Sequence, residues 1–405
     1  MMGRGTGGEH PAGPETPADT FEPPLVPSVV RPGTLAFTMS RVGRATLLLL
    51  LAAPAAIALQ VTGGSPALVF ALAAVAIVPL AALMGRATEE LAVRSGPGVS
   101  GLLNATFGNA TELIIASVAI TQGLSAVAKA SITGSIVGNI LLVMGMSFAL
   151  GGLRHNYQRF QTSMASATLS MLTVSVVGIT MPSMYQYIHS GFESVDESEG
   201  PVVALSALIA SVLLGVYVLY LVFSLRTHRP MFDGDAHGPV RARFPAQLPS
   251  LEHWSVRMAV LVLAITTVCV AGMSEVMVGQ VEGLTSEWGI SQLFIGVIII
   301  AIVGNAAEHS TAVLMAWRGR TELSFQIAMG SSVQIALLVA PLLVLFSFAI
   351  GDPMALVFEP FELVSMILTL GIATVITIDG EATWFEGAML VAIFLVIAGV
   401  FYVHP

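Results

Sequence analysis

Two short phrases in this chain repeat an amide and a carboxylate at the same spacing, Gly108-Asn109-Ala110-Thr111-Glu112 and Gly304-Asn305-Ala306-Ala307-Glu308. Side chains three residues apart share one face of a helix, so each Asn and Glu can address a single spot. Both phrases sit in apolar surroundings, beside Leu113-Ile114-Ile115-Ala116 and after Ile298-Ile299-Ile300-Ala301-Ile302-Val303. Ionisable groups in such sequence are costly and usually functional.

The chemistry these residues suit is cation binding. Hard divalent cations take six to eight oxygen ligands from carboxylates, amides, backbone carbonyls, hydroxyls and water. Glu112 and Glu308 supply charge, and Asn109 and Asn305 supply neutral oxygens together with the carbonyls of broken helices. Downstream segments, Gly134-Ser135-Ile136-Val137-Gly138-Asn139 and Gly330-Ser331-Ser332-Val333-Gln334-Ile335, add Ser135, Ser331, Ser332 and Gln334 as outer contacts. Gly108, Gly134, Gly304 and Gly330 permit close helix approach and local unwinding. Desolvation favours the protonated carboxyl and a divalent cation favours the charged one. Such a site holds either protons or metal.

The elements that position these residues follow from composition. With 55% hydrophobic and 10% charged residues, the chain departs from the soluble average of roughly 25% charged and reads as an all-α polytopic membrane protein. Apolar windows able to span a bilayer fall at 45–62, 66–92, 98–121, 128–151, 163–188 and 202–225, then at 255–281, 291–317, 325–350, 361–378 and 385–403, which makes eleven. Residues 1–44 read as a disordered cytoplasmic tail, with Met39 as an alternative start, and 226–254 as a cytoplasmic linker. The net charge of −9 argues against a nucleic-acid partner and suits a cationic cargo. The single Cys269 excludes disulfides within one chain and reads as helix packing.

Basic residues test the count. Arg41, Arg44, Arg86, Arg94, Arg154, Arg159, Arg226, Arg229, Arg241, Arg243, Arg257, Arg318 and Arg320 all fall on one side of the eleven-span scheme. The other side carries only Lys129, read as an interfacial snorkelling residue, beside Glu193, Asp196, Glu197, Glu199, Glu282, Glu287, Asp352 and Glu359. The positive-inside rule then places the N-terminus in the cytoplasm and the C-terminus across the membrane. Asp379 and Glu381 read as loop residues.

The order acid, Gly-Asn-x-x-Glu, Gly-Ser occurs twice, with Glu89 and Glu275 as the leading acids. This makes 66–225 and 255–405 two five-helix repeats, with 45–62 as an extra helix. Because five is odd, the second copy enters the membrane from the opposite side, and inverted repeats of this kind underlie alternating access. The repeat therefore points to a transporter.

These residues resemble a known family. Gly108-Asn109-Ala110-Thr111-Glu112-Leu113 and Gly304-Asn305-Ala306-Ala307-Glu308-His309 look like the two signature repeats of the calcium/proton exchangers, within the calcium/cation antiporters. The resemblance extends through Ala87-Thr88-Glu89-Glu90-Leu91, Gly101-Leu102-Leu103-Asn104-Ala105-Thr106-Phe107, the Gly-Ser segments and Leu225-Arg226-Thr227-His228. It implies that Glu112 and Glu308, helped by Asn109 and Asn305, bind Ca2+ or protons in turn, with no resident cofactor. It also implies an entrance or proton-pathway role for Glu89 and Glu275. His309 is left between a proton-linked role and a supporting hydrogen bond. Many family members carry an acidic segment between the halves, whereas this linker, 226–254, offers only Asp233, Asp235 and Glu252 among several arginines. Regulation of that kind is not expected.

Other readings remain open at this stage: Na+ as the driving ion, Mn2+ as cargo, an intramembrane metalloenzyme, or a passive channel. The enzyme reading lacks the His-Glu-x-x-His spacing of zinc proteases. Arginine, alanine and glycine abundance suggests a GC-rich genome and a bacterial plasma membrane. The lipid bilayer is the one certain partner, and nothing in the sequence excludes a homo-oligomer.

Overall fold

The computed structural model describes residues 46, 48–95, 97–190, 200–227 and 254–404. The expected tail, most of the linker and the acidic run 193–199 lie outside them. The elements are α1 (Ala52–Val61), α2 (Pro66–Ala92), α3 (Pro97–Phe107) and α4 (Ala110–Thr121), then α5 (Ser125–Arg154), α6 (Thr162–His189) and α7 (Pro201–Thr227). After the linker come α8 (Val256–Val278) and α9 (Val281–Trp288), α10 (Gln292–Gly304), α11 (Ala306–Trp317), α12 (Thr321–Ile350), α13 (Pro360–Thr377) and α14 (Trp384–Val403).

Among the described residues, eight helices are long and apolar enough to cross a membrane, or nine when α10 and α11 count as one bent span. The sequence windows numbered eleven. The difference lies in α1 and in α3 with α4, where each helical piece alone is too short to cross (Leu48–Val61 and Ala110–Thr121 are apolar but short). Among the described residues the windows fall on helices, apart from short breaks inside several of them and single residues at their ends. One two-stranded pairing, β1 (Gln158–Arg159) with β2 (Glu381–Ala382), joins two connecting loops.

The polar phrases break their helices. Asn109 and Asn305 are the residues immediately before α4 and α11, with φ/ψ of −108°/23° and −92°/5°, and the axis between α10 and α11 turns by 62°. An Asn in this position ordinarily caps the new helix by accepting from its first backbone N–H groups. Neither does so here. Their side chains are free for longer-range bonds.

The centre of the molecule is α5, the most buried of the long helices at 72% of its apolar window. Its first half carries Ala130 and Gly134 against α10: an added Cβ at Gly134 would collide with the Val297 carbonyl, and one at Gly296 with Ala130. Only small residues allow this approach. Its second half meets α14, where Gly387 lies under the Gly145 carbonyl and Ala149. Both α5 and α12 contain a π-helical stretch, Gly138–Val143 and Ile335–Val339, just past their Gly-Ser segments, a feature that often marks functional sites.

One connection is a buried extended strap rather than a surface loop. Residues 352–358 lie between α6 and α7 and, being apolar backbone without a sheet, need side-chain partners for their polar groups. Ser206 Oγ accepts from Leu356 N–H at 2.9 Å, Ser183 Oγ from Phe358 N–H at 2.9 Å, and Tyr187 OH donates to the Phe358 carbonyl at 2.8 Å. At the other end, the segment before α6 packs Phe160 between Phe148 and Phe325, with ring centroids 6.0 and 4.5 Å away.

Candidate cation site

Glu112 stands in the first turn of α4 and Glu308 in the first turn of α11, where the positive end of each helix dipole favours a carboxylate. Glu112 is buried and within electrostatic reach of Glu308. A Cβ added at Gly304 would lie 3.4 Å from Glu112 Cγ and 3.7 Å from its Oε1. Glycine at this break therefore lets the first carboxylate lie against the second phrase.

The amides cross between the halves. Ser331 Oγ, on α12, donates to Asn109 Oδ1 at 3.0 Å, and Asn109 Nδ2 donates to Gln334 Oε1. In the reciprocal arrangement Asn305 Nδ2 donates to Ser135 Oγ on α5 at 2.9 Å and to the Ala301 carbonyl at 2.9 Å. Each broken helix is thus fastened to the Gly-Ser helix of the other half. Against this network Glu112 Oε2 and Glu308 Oε2 are buried without a hydrogen-bond partner. Buried polar atoms are nearly always satisfied, so two orphaned carboxylate oxygens close together call for a proton or a cation.

Of the residues singled out from the sequence, the structure gathers Gly108, Asn109, Glu112, Gly304, Asn305, Glu308, Ser135, Ser331 and Gln334 around one locus. Ser332 is not part of it: its hydroxyl donates back to the Ala328 carbonyl at 3.0 Å within α12. Glu89 and Glu275 stand apart, near opposite ends of the antiparallel α2 and α8. Glu89 is half-buried beside Arg86, whose guanidinium lies 4.5 Å from the Trp254 ring centroid. Glu275 is exposed, and its backbone carbonyl accepts from Gln122 Nε2 at 3.3 Å.

Asn139 was not among the candidates, although it closes the Gly-Ser phrase of the first half. From the π-helical stretch of α5 its Nδ2 donates to Ser331 Oγ at 3.1 Å and to Asn305 Oδ1 at 3.5 Å. His309 Nε2 lies 3.1 Å from Asn139 Oδ1. An amide oxygen can only accept, so Nε2 carries the proton. His309 is thereby tied to Asn139 of the other half. The signal for Asn139 was its place in a Gly-Ser phrase already marked as repeated.

Two readings of single residues need correction. Lys129 does not snorkel: it is buried, at 6% exposed. Cys269 does not pack inside but is exposed, because α8 turns only one face to its neighbours. The loop reading of Asp379 and Glu381 gains detail, since Glu381 pairs with Arg159 at 2.9 Å and Asp379 Oδ1 accepts from Glu381 N–H at 3.0 Å.

The donor set is all oxygen: two carboxylates, amides and hydroxyls. That suits a hard cation such as Ca2+. Among the described residues no three of His, Cys, Asp and Glu converge as a metal cage. Two carboxylates supplemented by neutral oxygens fit an ion that must be released, not a resident one.

A family model described as sodium/calcium exchanger protein matches residues 65–226 and again 258–403. A Ca2+/H+ antiporter of Synechocystis is 44% identical over 91% of this chain and 99% of its own length. The chain belongs to the Ca2+/H+ antiporter family of the sodium/calcium exchanger superfamily. A second relative, the Ca2+/H+ antiporter ChaA of Bacillus subtilis, is 40% identical over 82% of this chain and 91% of its own. The solved structure of the Ca2+/H+ antiporter protein YfkE superposes with a TM-score of 0.73 at 36% identity, covering 89% of this chain and 99% of that one. Members of this family are membrane transporters, not enzymes.

Proposed function

We propose that this antiporter-family protein exchanges Ca2+ for H+ across a bacterial plasma membrane by alternating access, with Glu112 and Glu308 as the groups that hold cation or protons. The observation that carries this reading is the pair of buried, unpartnered carboxylate oxygens brought together from two broken helices. Two carboxylates balance one divalent cation or two protons, so the site can cross a low-dielectric region neutral in either form. Asn109, Asn305, Ser135 and Ser331 would offer neutral oxygens, and Asn139 and His309 would hold those groups in register. The Ca2+/H+ activity named for the relatives supports the choice of ions.

The reading takes 66–225 and 255–405 as inverted repeats after one extra helix, eleven spans in all. The family model matching each half and the reciprocal Asn–Ser bonds support it. Arg154, Arg159, Arg318 and Arg320 share one end of the molecule, since His155 Nε2 lies 3.2 Å from the Trp317 carbonyl and Thr321 Oγ1 lies 3.2 Å from Gln158 Oε1. The positive-inside rule makes that end cytoplasmic, with the N-terminus on the same side and the C-terminus across the membrane. Every residue assigned to the site comes from a single chain, so a homo-oligomer is not needed to complete it.

The test is uptake into reconstituted vesicles under a pH gradient, with Ca2+, Mn2+ and Na+ offered separately. Ca2+ uptake that follows the proton gradient and does not need Na+ is expected. Uptake that persists at full rate in Glu112→Gln or Glu308→Gln, or that requires Na+, would overturn the reading.

A further inference from the structure

One buried amide plays no part in the proposed exchange. Gln158 stands in the connection between α5 and α6, where a glutamine ordinarily faces water, yet it is buried. A glycine pair near the end of α5 makes room for it: an added Cβ at Gly151 would lie 2.5 Å from Gln158 Oε1, and one at Gly152 would lie 2.8 Å from Nε2. Both ends of the amide are used. Nε2 donates to the Phe148 carbonyl of α5 at 2.8 Å, and Oε1 accepts from the hydroxyl of Thr321, the first residue of α12, at 3.2 Å.

Alternate residues of an extended segment point the same way, so Phe160 follows Gln158 inward. Its ring lies between Phe148 of α5 and Phe325 of α12 and is nearly parallel to both, at 7° and 5°. Gln158, Phe160, Phe148, Phe325 and Thr321 are all buried. Arg159 turns the other way and pairs with Glu381 at 2.9 Å, and the Phe160 N–H donates to the Gly380 carbonyl at 3.0 Å. The stretch 158–160 is therefore a wedge, held from outside by the α13–α14 connection, whose two inward side chains each touch both α5 and α12.

The two helices it joins carry the Gly-Ser phrases. Ser135 and Asn139 stand on α5, Ser331 and Gln334 on α12, and the bond from Asn139 Nδ2 to Ser331 Oγ crosses between the helices at 3.1 Å. The wedge meets α12 about 15 Å along the helix from Ser331. Hydrogen bonds weaken steeply with distance and angle, so a slip of one helix along the other would loosen this crossing bond. The corresponding corner of the second half is closed without such a wedge. The step in sequence that takes Gly108 to Gly304, Glu112 to Glu308 and Gly134 to Gly330 takes Gln158 to Met354 and Phe160 to Leu356. There the Met354 N–H donates to Ser347 Oγ at 2.8 Å, and Leu356 bonds through its backbone to Ser206 and Ser183. The fold turns that corner with two apolar side chains, so a buried amide and a ring stack at the other point to a positioning task.

We propose that Gln158 and Phe160 are positioning residues that fix the end of α5 to the start of α12 and so keep Ser331 within reach of Asn139 and Asn109. Thr321 acts through the Gln158 amide, and none of the three bonds to Glu112 or Glu308. The inference deepens the exchange reading and rests on it for the effect on Ca2+, while the placement of the two helices can be read without it.

The test uses the full chain, purified and reconstituted in vesicles. Gln158→Met keeps the length of the side chain and removes both bonds; the KM for Ca2+ is expected to rise roughly fivefold or more, with turnover changed less than about twofold. Phe160→Leu should raise KM roughly threefold. Thr321→Val is the mildest change and should raise KM roughly two- to threefold alone, yet add nothing to Gln158→Met. In parallel, nitroxide labels on Leu153→Cys and Arg320→Cys, both exposed positions, in a Cys269→Ser background report the spacing of the two helix ends by dipolar distance measurement. A narrow distribution is expected in the parent and a broader one in Gln158→Met and Phe160→Leu. In a transporting parent, variants that keep either its KM or its distance distribution, whatever their thermal midpoint, would show that the wedge only stabilises the fold and would overturn the proposal. Effects of Gln158→Met and Thr321→Val that multiply in the double variant would overturn it as well. If the distances respond as expected but the parent moves no Ca2+ against H+, the exchange reading fails and the placement of the helices by Gln158 and Phe160 stands.

Discussion

Gly134 and Gly330 hold the same place in their helices, one residue before a serine that bonds to the broken helix of the other half. Their surroundings differ. An added Cβ at Gly134 would strike the Val297 backbone, whereas at Gly330 it would meet nothing within 4 Å among the described residues. In keeping with this, α10 lies along α5, while α3 packs on α2 and the end of α7. Two copies of one sequence pattern are caught in unlike states, one seam shut and the other parted. On the exchange reading the parted seam lies at the arginine-rich, cytoplasmic end, and the cycle consists of exchanging the two states. Small residues at both positions are what each seam needs in order to shut.

The comparison can be broken most severely at the carboxylates that both seams enclose. Glu308→Gln is expected to abolish proton-driven Ca2+ uptake in vesicles, and Glu112→Gln to do the same, because one remaining carboxylate cannot balance a divalent cation. If either variant transports normally, the two halves do not share one site. The next largest effect falls on the shut seam. Gly134→Leu should prevent close packing of α5 on α10 and lower the thermal midpoint, with a cost of about 1–3 kcal/mol or more from overpacking.

The sharper test is its counterpart. Gly330→Leu should fold with a midpoint close to that of the parent, since the space is open, yet slow turnover roughly tenfold or more because the parted seam can no longer shut. Equal losses of stability in the two variants would mean that the asymmetry has no role in transport. A smaller effect is expected at the amide that links the halves: Asn139→Ala leaves Ser331, Asn305 and His309 each short of a partner and should weaken Ca2+ uptake by roughly tenfold, about 1–2 kcal/mol. The smallest concerns the strap remote from the site. Tyr187→Phe removes one bond to the Phe358 carbonyl and should cost about 1 kcal/mol of stability with unchanged transport, measured by thermal unfolding and uptake side by side.

Much of this was legible in the chain. The apolar windows located the helices because a segment that crosses hydrocarbon must satisfy its own backbone and present apolar side chains, which leaves a mark independent of its neighbours. The Gly-Asn-x-x-Glu phrases stood out because carboxylates in such windows are rare. Less legible was the use made of each polar group. Ser332 and Ser331 are adjacent, but one bonds its own helix and the other crosses to Asn109. Lys129 resembled a residue at a helix end but is buried, and Thr133 one turn on is bonded to Glu362, more than two hundred positions away. The strap at 352–358 reads as a loop, because nothing local announces that Ser183, Ser206 and Tyr187 will take up its backbone bonds.

The sequence by itself determined the class of protein, the position of the helices, the two carboxylates and the family. These depend on local composition and on spacing along the helix, which act within a few turns. The tertiary structure alone decided that Asn109 and Asn305 bond across the halves instead of capping their own helices, that Asn139 joins the network, and that one glycine seam is shut while its counterpart is parted. Those outcomes depend on contacts between residues far apart in the chain, and identical local patterns can satisfy them in more than one way.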